Sequence, residues 1–160
     1  IDYPSFDIHF CFQSPNNSCI NFVHQLSQQY PQIKVYVHSD TLPFSFGNRK
    51  ILNTSRACEV SKGELLWVVD ENICAQVTSL KEMVTQFDEK DVGCVHQIPI
   101  WKNRDTIEHS VNMAYFSCHH SRFYLFSDAV GILCVSGMSM MLDKEKLNEI
   151  GKALNIIQVE

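Results

Sequence analysis

The sequence predicts an α/β layered fold with a mostly parallel sheet, and three observations carry that prediction. Short apolar or β-branched runs alternate with helix-patterned stretches in the order β-α-β-α-β-α-β. One run, Glu64 to Val69, is almost continuously apolar, the pattern of a strand buried on both faces. The 160 residues, 45% apolar and 19% charged, suit one domain with a core and are too apolar for a disordered chain.

Taken in order, Asp7 to Phe12 is a strand that ends in the loop Gln13-Ser14-Pro15-Asn16-Asn17. Ser18 is placed to cap a helix whose apolar face holds Ile20, Phe22, Val23 and Leu26, and Pro31 stops it. Ile33, Val35 and Val37 alternate with Lys34 and Tyr36, which gives a second strand. Asp40 to Asn48 is a loop, and Arg49 to Lys62 a helix ended by Gly63. The strand from Glu64 stops at Asp70-Glu71-Asn72. A helix from about Thr78 to Phe87, a strand from Val92 to Val95 and a loop opened by Pro99 follow. Asp105 can cap a helix to Phe116. Gly131 and Gly137 mark a loop before a strand over Met138 to Leu142, and Asp143 can cap a last helix that Gly151 stops.

Composition excludes several classes of function. The net charge of −5, with scattered basic residues, disfavours a nucleic-acid partner. The start, Ile1-Asp2-Tyr3-Pro4, lacks the basic and apolar regions of a signal peptide. The longest weakly polar run, Ala129 to Leu142, is 14 residues, short of the roughly 18 needed to span a bilayer. Seven cysteines with no CxxC pair suggest buried free thiols in a reducing compartment, and no Cys/His spacing suits zinc. A frame that opens on Ile1 is expected to be processed, excised or part of something longer.

Three clusters could carry chemistry. Asp70, Glu71 and Asn72 follow the most apolar strand, where open α/β sheets bind ligands, and their oxygens would suit Mg²⁺ or Mn²⁺ held with substrate phosphates. From spacing alone, a loop that opens with turn formers is the favoured reading. Cys118-His119-His120-Ser121-Arg122 could neutralise phosphate or handle a proton, although a solvated helix end explains it as well. Arg49-Lys50 would put cations at a helix N-terminus, a diphosphate site or an ordinary surface arrangement. Cys134, among Leu133 and Val135, reads as a core thiol.

Motifs along nearly the whole chain resemble the ceramide glucosyltransferase family. Asp2-Tyr3-Pro4-Ser5-Phe6-Asp7 resembles the family's DYPxYE, and Lys50-Ile51-Leu52-Asn53 its KINN segment, with ungapped spacing from Lys50 to Asp70. Val92-Gly93-Cys94-Val95-His96 resembles VGLVH. Tyr115-Phe116 with His120 and Arg122-Phe123-Tyr124 resembles YFxxxHPRYY, and Gly131 with Cys134 to Ser139 resembles GxxCVTGMS.

The resemblance implies a GT-A fold, a Rossmann-like three-layer arrangement, of which residues 1–160 would be a partial catalytic domain. The implied reaction is inverting transfer of glucose from UDP-glucose to ceramide at the cytosolic face of the Golgi membrane, with Mg²⁺ or Mn²⁺. It implies that Asp70 holds the metal and the UDP diphosphate, that Lys50 and Cys134 belong to the donor site, and that His120 has a catalytic role beside it.

Departures from the pattern support an alternative, a catalytically inactive truncated or degenerate relative that binds nucleotide-sugar weakly. Ser14 stands where the family has its first Asp, Ser121 replaces a proline, and the family's DSG is Asp70-Glu71-Asn72 here. The general base and the QxxRW motif are expected beyond Glu160. The family's opening strand would lie between the strand at Asp7 and the strand ending at Asp70. Without it, those two strands are expected either to pair directly or to leave a slot.

Overall fold

The computed structural model describes residues 1–39, 48–100, 106–132 and 134–153. They form two units, Tyr3–Gly63 in one and Ile1–Asp2 with the chain from Glu64 onward in the other.

In the first unit, β1 (Asp7–Cys11) pairs in parallel with β2 (Lys34–His38), with Ile8 opposite Val35 and Phe10 opposite Val37. Between them in sequence runs α1 (Cys19–Gln29), which buries Val23. Phe22 is 60% exposed, against the expectation that it shares the buried face. At 100° per residue it lies 100° from Val23 and 160° from Ile20, at the outer edge of the face that Ile20, Val23 and Leu26 turn inward. Ser18 makes no side-chain cap, because its own backbone is already helical. Asn17 supplies the cap instead, its Oδ1 accepting from the Cys19 N–H at 2.9 Å. The next helix, α2 (Arg49–Val60), is capped by Asn48, and it ends at the extended Ser61 before Gly63 is reached. Of the expected loop from Asp40 to Asn48, all but Asn48 lies outside the described residues.

The second unit departs from the expected parallel sheet. Its three strands, β3 (Leu65–Val69), β4 (Cys94–His96) and β5 (Ser139–Asp143), are ordered β3-β5-β4, and both pairings are antiparallel. Periodicity reports a strand but not its direction. The last strand returns through a turn at 137–138 beside the exits of β3 and β4, so it can only run back between them. Met141 at the middle of β5 is 1% exposed and, with Leu66, Leu80 and Met83, forms the buried core. No sheet contains both β1 and β3, so direct pairing, one of the two expected outcomes for those strands, does not occur among the described residues.

Helix α3 (Ser79–Thr85) runs into a short 3-10 turn over Gln86–Asp88. Thr106 caps α4 (Ile107–Ala114), accepting from the His109 N–H at 3.2 Å. The expected cap, Asp105, lies outside the described residues. Instead of ending near Phe116, the helical path continues through a π-helical turn, Tyr115–His120, into α5 (Ser121–Ala129). The last helix, α6 (Lys144–Ala153), starts as expected, with Asp143 Oδ1 accepting from the Lys146 N–H at 3.1 Å. It runs through Gly151 rather than stopping there. No helix among the described residues is long and apolar enough to cross a membrane.

Candidate functional site

The end of the three-stranded sheet where β3 and β4 leave and β5 enters gathers most of the chemistry. Asp70 follows β3 directly and is half-buried. Its N–H donates to the Met138 carbonyl at 2.9 Å, and its own carbonyl accepts from the Ile73 N–H at 3.1 Å, which closes a tight turn. Glu71 and Asn72 in that turn are exposed.

The segment 136–139 is strapped to both neighbouring strands. Ser136, buried to 4% exposure, donates its N–H to His96 Nδ1 at 3.2 Å and accepts from the Met138 N–H at 3.3 Å. Trp67 Nε1–H donates to Ser139 Oγ at 3.0 Å, and that hydroxyl donates to Gln97 Oε1 at 2.9 Å. Buried hydroxyls rarely go unpaired, so this relay from β3 through β5 to the residue after β4 fixes the strand ends relative to one another. Cys134 lies half-buried two residues before Ser136, on the loop that the relay anchors.

His120 closes the π-helical turn, so it sits within a continuous helical path rather than at a solvated helix end. Its ring lies among Tyr115, Phe116 and Tyr124, with centroids 5.3, 5.4 and 5.4 Å away. Its Nδ1 is buried without a hydrogen-bond partner among the described residues. An open depression of about 220 Å³ beside it is lined by Tyr115, His119, His120 and Phe123. Tyr124 also meets the His96 ring edge-on at 5.0 Å. Asp70, Cys134 and His120 are thus tied, through His96, to one end of one sheet.

Lys50 lies in the other unit, in the first turn of α2, its N–H donating to Asn48 Oδ1 at 2.9 Å. Ser14 shapes the turn after β1. Its hydroxyl accepts from the Asn16 N–H and its carbonyl from the Asn17 N–H, both at 3.2 Å.

Burial sets the state of two groups in the sheet. It pushes the His96 imidazole below its ordinary value and the Cys94 thiol above its own. A neutral His96 suits its role as an acceptor at Nδ1, with the ring proton on Nε2.

No three His, Cys, Asp or Glu side chains among the described residues could hold a metal ion together. The donor chemistry still fits Mg²⁺ or Mn²⁺, which take one or two carboxylates and complete their shells with water and substrate phosphates. Asp70 and Glu71 are the carboxylates that follow β3 at this end of the sheet.

The profile of glycosyl transferase family 21 matches residues 1–156. The chain belongs to that family. Among similar proteins, ceramide glucosyltransferase 1 of Caenorhabditis elegans is 29% identical over 93% of this chain and 32% of its own length. Ceramide glucosyltransferase 3 of the same organism is 28% identical, over 96% of this chain and 33% of its own length. The ceramide glucosyltransferase of Komagataella phaffii is 25% identical over 96% and 34%. This family 21 chain therefore spans about a third of the length of the curated relatives it matches. No solved structure matches it.

Sequence reasoning singled out Asp70 in this family 21 chain but missed the residues that hold it. His96 was visible only as the last residue of the segment that resembles VGLVH, just past the expected strand. Ser136, Ser139, Trp67 and Gln97 carried no separate signal, because a hydroxyl or amide becomes structural only when a partner distant in sequence meets it.

Proposed function

We propose that the chain, residues 1–160, is part of the catalytic domain of a glycosyltransferase that moves glucose from UDP-glucose to ceramide. The observation that carries this reading is the family 21 match over residues 1–156, with relatives named for that reaction. The mixed α/β architecture and Asp70 at the exit of β3 support a GT-A arrangement in which the donor lies beyond that strand end.

In the proposed reaction a ceramide hydroxyl oxygen forms a bond to the anomeric carbon of glucose. The bond from that carbon to the UDP oxygen breaks, UDP leaves, and the hydroxyl proton passes to a general base. The Asp70 carboxylate would hold Mg²⁺ or Mn²⁺ with the diphosphate. When bound, the metal would offset charge developing on the leaving group. His120 and Cys134 are assigned to the surroundings of the donor, and Lys50 to the diphosphate. The acceptor places the enzyme at a membrane, and the cytosolic face of the Golgi belongs to the same reading.

The test is direct. The native gene product, purified in detergent, is incubated with UDP-[¹⁴C]glucose, Mn²⁺ and short-chain ceramide, and the lipids are separated. Labelled glucosylceramide is the expected product. A protein that binds UDP-glucose but forms no glycolipid would be an inactive relative, and the reading would fall.

A further inference from the structure

We propose that His96 is a positioning residue that sets the place of Asp70 through the loop before β5. The inference rests on the reading of Asp70 as a donor-site residue, and its structural half stands on three hydrogen bonds.

Three links join the imidazole to Asp70. The Ser136 N–H donates to His96 Nδ1, Ser136 Oγ accepts from the Met138 N–H, and the Met138 carbonyl accepts from the Asp70 N–H, at 3.2, 3.3 and 2.9 Å. The links alternate between side chain and backbone, and Ser136 at their centre is buried. Without the ring nitrogen, the buried Ser136 amide has no replacement acceptor in this set, so the loop must shift to rehydrate it. Met138 moves with the loop, and the Asp70 turn follows.

The same ring also meets a different element. Tyr124 of α5 packs edge-on against His96 at 5.0 Å and against His120 at 5.4 Å. One side chain therefore touches two paths, a hydrogen-bonded path to Asp70 and a ring-packing path to His120. No sequence motif marks this coupling, because the partners lie about 30 and 40 residues away along the chain.

Two substitutions separate the two paths. His96→Asn keeps an acceptor oxygen close to the Nδ1 position and discards most of the ring. His96→Phe keeps a ring for Tyr124 and discards the acceptor. Hydrogen exchange is read on the native gene product without substrate, at the amides of Asp70, Ser136 and Met138, and donor KM and kcat are measured separately. Losing one hydrogen bond corresponds to exchange about tenfold faster. That acceleration is expected at Ser136 and Asp70 in His96→Phe, with donor KM raised and partly restored in His96→Asn. Unchanged protection at Ser136 and Asp70 in His96→Phe would overturn the proposal. So would equal loss in both variants, including global loss of strand protection, because the acceptor would then not be the deciding group. If protection changes as expected but no variant alters transfer, the positioning stands and the donor-site reading of Asp70 fails.

Discussion

His9 and His38, on neighbouring parallel strands, meet edge to edge, with Nδ1 of the first 2.9 Å from Nε2 of the second and the ring planes within 2°. The register sets His9 opposite Tyr36 and Cys11 opposite His38, so the contact is a diagonal one across the ladder. One nitrogen must carry the proton and the other must accept it. A second proton would leave no acceptor.

Replacing His38 with Phe removes that bond while keeping a planar ring. The expected cost is about 1 kcal/mol, the ordinary net worth of one hydrogen bond. Urea unfolding of single and double variants at His9 and His38 measures the coupling. Strictly additive effects would show that the two rings do not depend on each other.

His96 gives a pH dependence with a defined sign. Burial lowers its folded value below the ordinary 6.5, so the folded state binds its proton less readily than the unfolded state. The stability it contributes is therefore complete above about pH 6.5 and declines as the pH falls toward the folded value. Protonation also removes the acceptor that the Ser136 N–H uses. Thermal unfolding between pH 7.5 and 5 should show a loss that is smaller in His96→Asn. An identical pH slope in both proteins would contradict this.

Gly131 ends the α5 path with φ at +73°, its N–H donating to the Asp128 carbonyl at 3.0 Å. A Cβ there would meet nothing within 4 Å, so the cost of Gly131→Ala is backbone strain alone, about 1–2 kcal/mol. Calorimetry should show a lowered midpoint. A neutral substitution would mean that the turn into the Cys134 loop does not need the left-handed conformation.

The cysteines should separate by reactivity. Cys19, Cys74 and Cys118 are exposed, whereas burial and the nearby Cys58 push the Cys11 thiol up to about 11. Iodoacetamide at pH 7.5, followed by peptide mass spectrometry, should label the exposed three first and Cys11 last, since the thiolate is the nucleophile. Equal labelling of Cys11 and Cys19 would contradict the burial of β1.

Much of the fold was legible where one residue decides a boundary locally. Pro31 beyond α1, Asp143 before α6 and the alternation Val35-Tyr36-Val37 each produced the expected element. Direction and continuity were not legible. Nothing in Met138 to Leu142 says that β5 runs antiparallel between β3 and β4, since that is decided by where the chain re-enters. The π-helical turn at Tyr115–His120 was read as a helix end because an extra residue in one turn breaks the 3.6-residue pattern. At the site, Asp70 was visible because a carboxylate after an apolar strand stands out. The links through Ser136 and Ser139 were not, because their partners are set by the tertiary fold.

Asp70→Asn tests the central claim most directly. The substitution is nearly isosteric and leaves the backbone N–H to Met138 in place, so the turn should persist. In the native gene product, Mn²⁺-dependent transfer of glucose to ceramide should fall by about a hundredfold or more, with strand β3 as protected from exchange as before. Transfer at the original rate, with the same Mn²⁺ dependence, would contradict the role given to Asp70 and the donor site built around it.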